Sequence, residues 1–218
     1  MAKKYVQPTQ IHELKITLCG SKPPIWRRFA VPSNMRLSDL HYLIQIIMGW
    51  DNSHLHQFIA SDRSRKEYRS LGKKGWTHLE RRLSDPRFEL EDTENENKVT
   101  LTELAPALKD KFIYEYDFGD SWEHLIEVVK ISPPADKVKY PVCLAGEFAC
   151  PPDDCGGIWG YYGKLEILKD PKHDDYEDTI EWMGDDFDPE RFNLEAINAE
   201  LAQLRGGKSR RVWDAYNL

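Results

Sequence analysis

Apolar and polar residues alternate along Ile11-His12-Glu13-Leu14-Lys15-Ile16-Thr17-Leu18, and a period of two over this length predicts a half-buried strand. Pro23-Pro24 forces an extended turn, after which 25–31 resumes as a second strand until Pro32 stops it. Leu37, Leu40, Leu43, Ile44, Ile47 and Met48 follow a 3.6-residue period, so 37–48 is predicted to be an amphipathic helix closed by Gly49. Residues 55–60 read as a third strand. A polar excursion over 61–98 follows, with one short strand expected around 88–90. Phe112, Tyr114, Tyr116 and Phe118 share one face of a fourth strand, Gly119-Asp120 supplies a turn, and 122–131 returns as its antiparallel partner.

Beyond Pro133-Pro134 the pattern is loop-like as far as Cys155-Gly156-Gly157. Three helices are then expected near 160–169, 175–183 and 193–205. Strands lead and helices follow, so the expected fold class is α+β: an antiparallel β-sheet with helices packed on one face and a helical C-terminal third. No repeat or linker divides the chain, and residues 1–218 are expected to form a single domain ending in a flexible tail over 206–218.

Composition narrows the function classes. Apolar residues make up 40% of the 218, enough for a folded core, and the seven Trp place large side chains in it. A net charge of −7 argues against indiscriminate binding to phosphate backbones, which needs a basic surface. Charge is nevertheless segregated. Arg63, Arg65, Lys66, Arg69, Lys73, Lys74, Arg81 and Arg82 crowd the stretch 62–82 against only Asp62, Glu67 and Glu80, while 170–195 is strongly acidic. The first residues lack the apolar core of a signal peptide, and the longest apolar stretch, 43–50, falls far short of the roughly 20 residues of a membrane span. A cytoplasmic protein with reduced thiols is expected, with no membrane partner.

The most chemical-looking feature is His54-Leu55-His56. On a strand, residues i and i+2 face the same way, so both imidazoles are expected on one face, where metal ligands often sit. If the 112–131 hairpin lies alongside, it adds His124 as a third ligand and Asp117 or Asp120 as a carboxylate, a set suited to zinc or manganese. The bland alternative is a group of hydrogen-bonded structural histidines beside Trp50 and Trp122. Cys143, Cys150 and Cys155, with Cys19 or a histidine, are a second candidate for structural zinc, set against a role as small buried hydrophobes.

Three motif fragments carry nothing. Asp117-Phe118-Gly119 lacks the other kinase motifs, and Gly207-Lys208-Ser209 lacks the upstream glycine of a phosphate loop. The acids around Asp186-Phe187-Asp188 lack the glycine of a calcium loop. No complete catalytic motif is legible.

Taken in order, a set of segments resembles the pRiA-plasmid open-reading-frame-three-like family over about residues 11–204. They are Pro23-Pro24-Ile25-Trp26-Arg27-Arg28-Phe29; Leu40-His41 with Met48-Gly49-Trp50-Asp51; His54-Leu55-His56-Gln57-Phe58; Tyr116-Asp117-Phe118-Gly119-Asp120-Ser121-Trp122-Glu123-His124; and Cys150-Pro151-Pro152-Asp153-Asp154-Cys155-Gly156-Gly157 with Gly160-Tyr161. The family also occurs as a passenger of bacterial insertion elements, sometimes under a TnpR-like resolvase label. The resemblance implies an α+β fold with an antiparallel sheet and a link to plasmids and mobile elements. It carries over Trp26, Arg27, His41, Trp50, His54, His56, Asp117, Gly119, Asp120, Trp122 and His124 as a shared surface or site. The resolvase label finds no support in the residues, because neither a nucleophile-bearing strand with an arginine cluster nor a groove-reading helix is legible.

Three readings follow. The first is a non-enzymatic binding or accessory module that grips a partner protein through the face around Trp26, Trp50, His54, His56, Trp122 and His124. The second is a metal-dependent hydrolase or nuclease using His54, His56 and His124. The third is a nucleic-acid-binding accessory protein acting through 62–82.

Overall fold

The computed structural model describes residues 8–61 and 80–205. Eight strands within them form one sheet: β1 (Ile11–Leu18), β2 (Trp26–Pro32), β3 (His56–Ser61), β4 (Glu80–Ser84), β5 (Glu94–Asn95), β6 (Lys111–Tyr116), β7 (Trp122–Ser132) and β8 (Val142–Glu147). Their spatial order is β5-β4-β3-β6-β7-β1-β2-β8, antiparallel throughout except for the short β4–β5 pair. The helices are α1 (Leu37–Met48), α2 (Leu101–Leu104), α3 (Gly157–Ile167), α4 (Tyr176–Met183) and α5 (Leu194–Arg205). The fold is α+β.

One face of the sheet is the inner one. Leu14, Ile16 and Leu18 of β1 and Trp122, His124, Ile126 and Val128 of β7 are buried, while the residues between them are mostly half-exposed or exposed. This alternation is the period-two signal in physical form. α1 lies over that face and is buried nearly all round, with Asp39 as its one unburied position. Gly49 ends it in the left-handed conformation at φ +90°, which a residue without Cβ adopts at no steric cost. A buried arginine completes the join. Arg27 on β2 donates from Nε to the Ile47 carbonyl at the end of α1, and from Nη1 to the Glu147 carbonyl on β8. It thereby satisfies an orphan helix carbonyl and ties three elements together.

Two local expectations fail for identifiable reasons. The segment 88–90 is not a strand. Pro86–Phe88 is a 3-10 turn capped by the Asp85 carboxylate, which accepts from Arg87 N, and a proline at its start favours a turn over a ladder. Conversely, 142–147 is the edge strand β8 rather than a loop. Its flanking prolines and Gly146 look like turn signals, but a Cβ at Gly146 would strike Phe192 and Arg27, so packing rather than turning selects that glycine. Residues 62–79 of the basic stretch and the predicted tail over 206–218 lie outside the described residues, whereas Arg81 and Arg82 sit on β4, Arg81 paired with Glu94.

The segment 150–157 is pinned against the β6–β7 turn. Gly156 N donates to Asp120 Oδ2 at 3.0 Å, and a Cβ at Gly157 would collide with the Asp120 carbonyl. Within α3, a Cβ at Gly160 would run into the Cys155 carbonyl oxygen, whereas one at Gly163 meets open space. Gly160→Ala is therefore expected to cost about 1–3 kcal/mol, and Gly163→Ala to add about 0.5–1 kcal/mol. Urea unfolding midpoints of the two variants check this, and equal midpoints would contradict it.

Candidate functional site

Strand pairing brings the two histidine- and acid-bearing stretches together. His56 lies opposite Tyr116 in the β3–β6 ladder, and Asp117 N donates to the Leu55 carbonyl at 2.8 Å just beyond it. The turn that follows is tight. Asp117 and Ser121 both take positive φ (54° each), and Asp117 Oδ1 accepts from Gly119 N at 2.9 Å, an Asx turn suited to an aspartate in that conformation. Gly119 itself has no positive φ, so the unusual backbone of this turn belongs to the aspartate and the serine.

Between this turn, the first half of α1, the Asp85–Phe88 turn and Glu96 lies a cavity of about 710 Å3. That is within the range of small-molecule sites. Its wall carries a buried polar network. His41 Nε2 bonds to Asn52 Oδ1 at 2.6 Å, and since that oxygen can only accept, His41 carries its proton on Nε2. His41 Nδ1 is then an acceptor for the Tyr114 hydroxyl at 2.8 Å, and that hydroxyl accepts in turn from Gln45 Nε2. Gln45 Oε1 closes the loop by accepting from Asn52 N. Every bond in this chain is satisfied with a neutral imidazole.

His56 stacks on that imidazole, ring centroids 3.4 Å apart and planes within 5°. Two imidazolium rings at such a distance would repel strongly, and burial pushes both groups the same way. His41 is held well below its usual value, and His56 is lowered to about 3. Glu96 Oε2 sits 2.9 Å from His56 Nε2, and burial raises this carboxyl to about 7, so near neutrality the pair shares a single proton. Three buried atoms of cavity-lining residues, Ser38 Oγ, His54 Nε2 and His56 Nδ1, have no hydrogen-bond partner.

His54 lies just ahead of β3, which begins at His56, and both histidines line the cavity. His54 Nδ1 is 3.8 Å from Asp117 Oδ1 and its Nε2 is 3.3 Å from Asp154 Oδ1. Nearby Asp153 is raised to about 7 by burial and by the adjacent Asp51 carboxylate. His124 does not join either group. It is fully buried behind Tyr114 and Trp50, its Nδ1 3.3 Å from the Tyr114 carbonyl, and burial lowers it to about 4.

The remaining candidates are structural in their contacts. Trp50 and Trp122 are buried, and Trp50 stacks on Tyr116 while donating from Nε1 to the Pro151 carbonyl. Trp26 donates to Glu147 Oε2 on the sheet edge, Arg27 bonds backbone carbonyls as described, and Asp120 holds Gly156. Cys143 and Cys155 face backbone carbonyls, and burial pushes the thiols of Cys143, Cys150 and Cys155 up, away from the thiolate a metal requires. Sequence reasoning passed over Glu96, Asn52, Tyr114 and Asp154. Only Asp154 carried a signal, as the second acid of the Asp153-Asp154 pair.

Residues 10–196 match the plasmid pRiA4b ORF-3-like protein family. The chain belongs to this family. A similar curated protein, the uncharacterized protein y4hQ of Sinorhizobium fredii, is 34% identical over 207 residues, covering 91% of this chain and 94% of that protein. A crystal structure of a protein of unknown function from Methanosarcina mazei Go1 is also similar. It shares 37% identity with a TM-score of 0.75, over 87% of this chain and 98% of that one. The family region contains every cavity-lining residue named above. Among the described residues, no helix is long and apolar enough to cross a membrane.

The buried pair gives a signed pH dependence. The folded chain keeps the Glu96 proton up to about 7, whereas the unfolded chain releases it near 4.5, so this group removes stability as pH climbs through that interval. His56 and His124 act oppositely, because their depressed values withdraw stability as pH falls below 6.5. Glu96→Gln, a neutral isostere, is therefore expected to be more stable than wild type by about 1–3 kcal/mol above pH 7. The gap should close toward pH 4.5. Denaturant unfolding at both ends of the range checks it, and a glutamine variant that is less stable at high pH would contradict the assignment.

Proposed function

We propose that this family member is a binding module that takes a small, polar, neutral molecule into the cavity beside His41 and His56. The observation that carries the reading is the group of buried atoms on the cavity wall that lack a partner within the chain, Ser38 Oγ and His56 Nδ1 among them. Buried polar groups are costly unless satisfied, and a ligand bearing hydroxyl or amide groups supplies what is missing. Phe88, set edge-on to His56 at 6.0 Å, and Tyr42 offer apolar surface to the same molecule. The size suits a nucleoside or a sugar.

The reading keeps His54 and His56 of the expected binding face and leaves out Trp50 and Trp122, whose side chains are core. A family named for a plasmid-borne reading frame favours an accessory role for such binding in plasmids and mobile elements. The test is a saturation-transfer NMR screen of nucleosides, monosaccharides and amino-acid amides. Binders are expected whose affinity falls at least tenfold in Phe88→Ala and in His56→Ala and is unchanged in Trp26→Ala. Absence of any millimolar binder, or loss of binding through Trp26→Ala alone, would overturn the reading.

A further inference from the structure

Among the described residues, one set of three metal-ligating side chains brings its donor atoms within 4.8 Å of one another: His54, Asp117 and Asp154. The three come from separate parts of the chain, the approach to β3, the β6–β7 turn and the 150–157 segment. Their meeting therefore depends on the fold, and they are not a run of neighbouring acids on one loop.

One donor atom of the three is unsatisfied as it stands, while Asp117 Oδ1 already accepts from Gly119 N. His54 Nε2 is buried and makes no hydrogen bond, although Asp154 Oδ1 is only 3.3 Å away. Donor atoms bound to one zinc ion at about 2.1 Å in tetrahedral geometry lie roughly 3.4 Å from each other. The three here lie within 4.8 Å, with Asp117 3.8 Å from His54 Nδ1 and Asp154 3.3 Å from Nε2, so an ion held by one imidazole nitrogen draws the carboxylates inward. Asp117 is 6% exposed, while the Asp154 side chain is 72% exposed, so the group has a buried anchor and an open side.

We propose that His54, Asp117 and Asp154 bind one divalent cation, zinc or manganese. One imidazole and two carboxylates form a mixed nitrogen and oxygen set that suits these ions and disfavours copper(I) or an iron–sulfur cluster, which call for thiolates. Three protein ligands leave at least one coordination position open. His54 and Asp117 also line the cavity, so an ion there borders the space where the ligand of the proposed binding module sits. On that reading the ion takes an oxygen of the bound molecule. The cation site itself does not rest on it, and metal binding is measured with no organic ligand present.

The experiment is calorimetric titration of the full chain with zinc chloride and manganese chloride. One equivalent is expected to bind, with affinity lowered more than about tenfold in His54→Ala and in Asp117→Asn. His173→Ala, which removes an exposed imidazole set 3.8 Å from Asp175 elsewhere on the surface, should leave the affinity unchanged. No binding by the wild type, or equal affinity in a folded His54→Ala protein, overturns the proposal. A wild-type measurement guards against variants that fail to fold. Manganese should broaden the amide resonances of Leu55, Asp117 and Asp154 first, and broadening centred elsewhere overturns the assignment.

Discussion

The register between β3 and β6 is the constraint on which the rest depends. With His56 opposite Tyr116, the inward set of the two strands is His56 and Phe58 against Tyr114 and Tyr116, and His56 meets α1. A slip of one residue would turn every side chain of β3 to the other face. It would send His56 outward and break the Asp117 N to Leu55 carbonyl bond that fixes the turn. The stacked imidazoles, the cavity wall and the His54–Asp117 contact all follow from this one alignment.

That alignment carries an electrostatic cost which the neighbours manage. Two imidazoles and a carboxyl are buried together, and the arrangement holds because His41 is neutral in a closed hydrogen-bond loop while His56 and Glu96 divide one proton. A core of apolar residues would be simpler to stabilise. Buried polar networks of this kind specify a unique arrangement when every member is satisfied, and here Ser38 Oγ, His54 Nε2 and His56 Nδ1 are left over on the cavity side.

The sheet and α1 were legible because burial on one face imprints a period on the sequence, as in Ile11–Leu18 and Leu37–Met48. The sequence left the meeting of the stretches near 55 and 120 as a condition, and the β3–β6 pairing supplies it. Their chemistry was less legible. His54 and His56 looked equivalent, yet the strand begins only at His56, and boundaries of one or two residues are what pattern reading resolves worst. Glu96 sat in a charged run that resembled a solvated loop, and nothing local marks it as buried. His124 and the two core tryptophans shared a motif with the cavity residues because they support the same sheet, not because they line the same space. The β8 strand was hidden by its prolines and by a glycine chosen for packing against Phe192.

The most direct measurement is the pH titration of the imidazole 15N resonances of His41 and His56. The inward register and stacking require both rings to stay neutral from pH 8 down to about 5, with His41 protonated at Nε2 throughout. Two rings that titrate independently near 6.5, the value of an exposed histidine, would show that β3 does not deliver His56 to the cavity.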